Sequence, residues 1–64
     1  MSLRVYYTEE GKQKLFEAKK EGNKGIAYTY NDWKTTEYAD RDTVNKIVFD
    51  LRKTFEVSAI IGGF

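Results

Sequence analysis

The sequence predicts an α+β domain of ferredoxin-like (split βαβ) plan, in the order β-α-β-β-α-β, with an antiparallel sheet carrying two helices on one face. Three observations predict it. Leu3, Val5 and Tyr7 alternate with Arg4 and Tyr6, the period of a strand. Val44, Ile47, Val48, Leu51 and Phe55 recur at spacings of three and four, the period of a helix. Between these segments, residues 25–30 and 33–38 are two runs rich in Tyr and Thr, separated by Asn31 and Asp32. The chain has 64 residues with no linker-like composition, so residues 1–64 are expected to form a single domain.

The first strand places Leu3, Val5 and Tyr7 on one face and Arg4 and Tyr6 on the other. Thr8 then suits the N-cap of a first helix, with Glu9 and Glu10 in the opening turn where a carboxylate complements the helix dipole. Gly22 and Asn23 supply its stop signal, after Lys19 and Lys20 at the C-terminal end. The apolar stripe of this helix is thin, because Leu15, Phe16 and Ala18 share their face with Gly11, Lys12 and Lys19. A two-residue turn at Asn31 and Asp32 pairs Tyr30 with Trp33, Tyr28 with Thr35 and Ile26 with Glu37. Ile26, Tyr28, Tyr30 and Trp33 then share one face and are buried or available as a group. The thin first helix leaves core volume to fill, which favours burial.

Asp40 or Asp42 caps the second helix, whose stripe of large side chains is complete. Phe49 falls off that stripe, among Asn45, Lys46, Arg52 and Lys53, and is expected at the surface. Residues 57–61 form an uncharged final strand, followed by Gly62, Gly63 and Phe64. In the split βαβ plan the first and third strands lie in the middle of the sheet. The second and fourth lie at its edges.

Composition narrows the function. The chain has no cysteine and no histidine, which removes disulfides, the usual zinc and haem ligands, and thiolate or imidazole chemistry. No glycine-rich loop carries a Walker lysine or dinucleotide spacing. No catalytic residue, cofactor or metal is therefore assigned, and the chain is expected not to be an enzyme. Asp40 and Asp42 open a helix and are read as capping residues rather than as a metal pair. Eleven Lys and Arg against ten Asp and Glu leave a net charge of +1, without the bias of a general polyanion binder. No apolar run reaches the length of a membrane span and the start lacks a signal-peptide layout, so a cytoplasmic protein with no membrane contact is expected.

Two kinds of partner fit the remaining features. The first is a protein, with the chain acting as an adaptor, inhibitor or regulator. The uncharged last strand offers an edge to a partner or a second copy, and a homodimer is one form this contact takes. Phe49, Arg52, Ser58, Ile60 and Phe64 are its candidate residues. The alternative is a single-stranded nucleic acid. Lys24, Gly25, Ile26, Ala27 and Tyr28 faintly resemble the RNP1 box of RNA-recognition motifs, which implies aromatic stacking on an open sheet. Ile26 stands where that box has an aromatic residue and the run falls on the second strand rather than the third, so the chain is not assigned to that family. The stacking residues would be Tyr6, Tyr28, Tyr30 and Trp33, with Arg4, Lys24 and Lys34 on phosphates.

Overall fold

The computed structural model of the protein describes residues 2–30 and 34–63. The chain runs through β1 (Ser2–Glu9), β2 (Lys12–Lys20), a 3₁₀ turn (Gly22–Lys24), β3 (Ile26–Tyr30), β4 (Glu37–Ala39), α1 (Arg41–Thr54) and β5 (Glu56–Gly62). The strands form one antiparallel sheet in the order β4-β3-β2-β1-β5. This overturns the ferredoxin-like plan: the segment expected as the first helix is strand β2. One α-helix is present among the described residues, β2 takes the centre of the sheet, and the third expected strand (residues 33–38), placed in the middle by that plan, corresponds to β4 at an edge.

The reason lies at Glu10 and Gly11. Both adopt positive φ, 53° and 78°, and close a two-residue turn between the facing residues Glu9 and Lys12. That pair of left-handed residues is the turn whose twist suits a tight hairpin, although the sequence lacks the usual Asn or Asp at its first position. The resulting register sets Leu3 opposite Ala18 and Val5 opposite Phe16. As a strand, this segment turns Phe16 and Ala18 into the core and presents Glu17 and Lys19 on the other face. As a helix, it would have set the same apolar residues among lysines. Full burial of Phe16 is worth about 1.5–3 kcal/mol, whereas helix propensities of Lys, Gln, Leu and Glu differ by only about a few tenths.

The β3–β4 pairing differs from the expected hairpin by two residues. Tyr28 lies opposite Glu37, Ala27 opposite Tyr38 and Ile26 opposite Ala39. A shift of two preserves which face each side chain takes, so Ile26, Tyr28 and Tyr30 still share a face. The turn at Asn31 and Asp32, and Trp33 beside it, lie outside the described residues.

Asp40 is the N-cap of α1, its Oδ1 accepting a 2.8 Å hydrogen bond from the Thr43 backbone N–H. Hydrogen bonding by Thr43, through its side chain and then its backbone, holds the Asp40 carboxyl below the ordinary carboxylate range. The helix lays Val44 and Leu51, both buried, over Leu3, Val5, Tyr7, Phe16, Ala18 and Ile26. Ile47, Val48, Phe55 and Val57 complete this layer with Tyr28 and Tyr30. Ring contacts tie it together: Tyr7 to Phe55 and Phe16 to Tyr30 at 5.2 Å, and Phe16 to Tyr28 at 5.9 Å between centroids. Among the described residues, no helix covers the opposite face.

Because α1 connects β4 at one edge to β5 at the other, the last strand pairs with the first. Ile60 lies opposite Val5 and Ile61 opposite Arg4, with a register shift between Tyr6 and Tyr7 that leaves Ser58 as a bulge. The Ser58 hydroxyl donates to the Tyr6 carbonyl at 3.2 Å. Gly62, at φ 86°, lies so close to the Ser2 backbone oxygen that a Cβ there would collide with it. The next N–H, from Gly63, donates to that oxygen at 3.0 Å.

Candidate protein-binding edge

The sheet has two edges, and they differ. β4 is three residues long, and its outward neighbourhood includes exposed Glu37. β5 runs for seven residues with a single charge, Glu56, at its start. Since the Gly63 N–H bonds to Ser2, the alternation of an antiparallel ladder directs the backbone groups of Ile61 towards β1 and those of Ile60 outwards. Among the described residues, the free side of β5 is thus an unpaired ladder, uncharged from Val57 to Gly62.

Beside this edge, α1 forms the wall of a groove. Leu3, Val48 and Ile60 make its apolar floor, and Arg41, Asn45 and Arg52 line it from the helix, with Gly63 at one end. Residues 41, 45, 48 and 52 are separated by four, three and four positions, so they form one stripe along the helix flank nearest β5. Arg41 and Arg52 are exposed, and among the described residues neither belongs to an ion pair. Among the described residues, no carboxylate lines the groove. Eleven residues of helix put the two arginine backbones about 16 Å apart.

Of the residues predicted to meet a protein, Arg52 and Ile60 line this groove. Phe49 stands one helical step outside it, 58% exposed, with the Lys53 ammonium 5.1 Å from its ring centre. Ser58 is in the bulge of β5, its hydroxyl turned to Tyr6 rather than to a partner. Phe64 lies outside the described residues. Arg41, Asn45, Val48 and Leu3 were not predicted to meet a partner, Leu3 and Val48 having been read as core residues. Their helical spacing was visible, but that β5 lies beside that flank depends on the strand order.

The residues predicted to meet nucleic acid are not brought together. Tyr28 and Tyr30 point to the helix side and touch Phe16, while Arg4 and Tyr6 lie on the uncovered face. Alternation along each strand enforces this separation. Burial pushes the Tyr30 phenol above its ordinary pKa. Arg4 Nε donates to Glu17 Oε2 at 2.8 Å, so its charge is already matched. Lys24 sits in the 3₁₀ turn and Lys34 in the loop before β4, and Trp33 lies outside the described residues. The uncovered face holds a shallow depression lined by Arg4, Glu17, Lys19, Glu21 and Thr29 among others, where two cations meet two carboxylates. That balance suits no ligand of a single charge.

No family model, curated protein or solved structure matches the chain. Among the described residues, no group of three His, Cys, Asp or Glu could hold a metal ion. No helix among them is long and apolar enough to cross a membrane.

Proposed function

We propose that the chain is a small, cytoplasmic, non-enzymatic protein-binding module, an adaptor, inhibitor or regulator that takes an extended segment of a partner protein as a sixth strand on β5. The observation that carries this is the edge of β5, unpaired among the described residues and uncharged from Val57 to Gly62, running beside the groove of Leu3, Val48 and Ile60. In strand addition the backbone ladder supplies affinity and flanking pockets supply specificity. Sheet edges are commonly blunted by lysines, proline or short length. β4 is short, whereas β5 has none of these protections beyond its bulge. The nucleic-acid alternative has weaker support, since Tyr28 and Tyr30 pack on the helix side while Arg4 and Tyr6 lie on the opposite face.

The test is selection of binders from a random peptide library, followed by amide hydrogen exchange on the complexes. Selected peptides should slow exchange at Ile60 and Gly62 and lose binding to an Ile60→Lys variant that keeps its fold. Binders that protect other amides, or the absence of binders, would overturn the proposal. A second copy is the competing occupant. Sedimentation would reveal it as a dimer mass that returns to monomer on Ile60→Lys.

A further inference from the structure

Resting on that proposal, we infer that the segment captured by β5 is acidic, with two carboxylates four residues apart flanking an apolar residue. Arg41 and Arg52 line the same groove, both exposed and outside any ion pair among the described residues, and none of the described residues lining that groove is a carboxylate. An unmatched pair of guanidinium groups beside a strand edge selects the partner by charge. Their spacing sets the register. The arginine backbones are about 16 Å apart along α1. An extended chain rises about 3.4 Å per residue and returns side chains to the same face every second residue. Positions two apart therefore span about 7 Å, four apart about 14 Å and six apart about 20 Å. Four is the nearest match, and the flexible arginine stems take up the difference. The residue midway between the carboxylates then lies over Val48 and Ile60, where an aliphatic side chain completes the apolar floor.

The same charges weigh against the other occupants. A second copy docked edge to edge by twofold symmetry would bring its own Arg41 and Arg52 towards these two, setting like charges together. A nucleic acid would satisfy the arginines through phosphate, but would leave the apolar floor and the Ile60 backbone unmatched.

The experiment uses a fluorescent heptapeptide with glutamate at its second and sixth positions and valine at its fourth. Its glutamine and lysine counterparts and a labelled oligothymidylate serve as comparisons. The glutamate peptide should bind about fivefold to tenfold more tightly than the glutamine peptide, the scale of two exposed ion pairs, and weaken as salt rises. On the doubly substituted Arg41→Glu, Arg52→Glu protein the order should reverse, with the lysine peptide the tightest. Both positions are exposed, and retention of the wild-type circular dichroism spectrum checks that the swap leaves the fold intact. Equal binding of glutamate and glutamine peptides, with protection at Ile60, would overturn the acidic rule while leaving strand capture standing. If no peptide protects Ile60, both fall. Oligothymidylate binding more tightly than the glutamate peptide, and being lost on the charge swap, would assign the groove to phosphate and overturn the inference.

Discussion

A methyl group added at Gly62 would run into the Ser2 carbonyl oxygen, and the φ of 86° is unfavourable for any L side chain. Gly62→Ala should lower stability by about 2 kcal/mol or more, seen as a reduced urea midpoint with unchanged slope. Wild-type stability would mean that β5 reaches Ser2 by another path. Asp40 makes a pH-dependent contribution. A carboxyl whose pKa is lowered by folding stabilises the fold above its unfolded value and loses that effect as pH falls through the folded one. Asp40→Ala should therefore reduce Tm by about 5 °C at neutral pH. The gap from wild type should close below about pH 4, and a gap that persists in strong acid would exclude the cap. Phe49→Ser should change stability by less than about 0.5 kcal/mol, because the ring is 58% exposed and contacts Lys53 rather than the core. A substantial fall in urea midpoint would place Phe49 inside the fold.

Each element was legible in the sequence to the degree that local and long-range preferences agreed. α1 was clear because its apolar period, its aspartate cap and its burial coincide. β1 was clear because Leu3, Val5 and Tyr7 alternate and all three are buried. β2 was not, because Lys, Gln, Leu, Glu and Ala favour a helix when judged alone and only pairing with β1 makes the alternation of Phe16 and Ala18 decisive. Its opening turn gave a faint signal, a glycine after a glutamate held at φ 53°. Glu10→Asn should relieve that conformation and stabilise the protein by about 0.5–1 kcal/mol in urea unfolding. A loss of stability would argue against the left-handed turn. The lack of charge in residues 57–61 was readable, but their edge position was expected from a split βαβ plan that the strand order overturns, and the groove beside them was not readable. No local pattern places Arg41 and Arg52 next to Ile60.

At the scale of the whole molecule, the one helix and the five-stranded sheet of the described residues share a core on the helix side, and Ala27 is the one described residue buried on the uncovered face. Protection should follow ladder partners: amides of β1 and β2, paired on both sides, should exchange slowest, and those of β4 fastest among the strands. Native-state hydrogen exchange measures this directly. A β4 as protected as β1 would contradict the strand order. The pairing of β5 with β1 also has a meaning in time. In folding, β1 finds β2 nearby through its two-residue turn, but its other flank stays unpaired until β5, beginning at Glu56, docks. Until β5 docks, the chain carries a vacant strand position beside Leu3 and Val5, and a foreign strand arriving then would compete with β5 for the same seat.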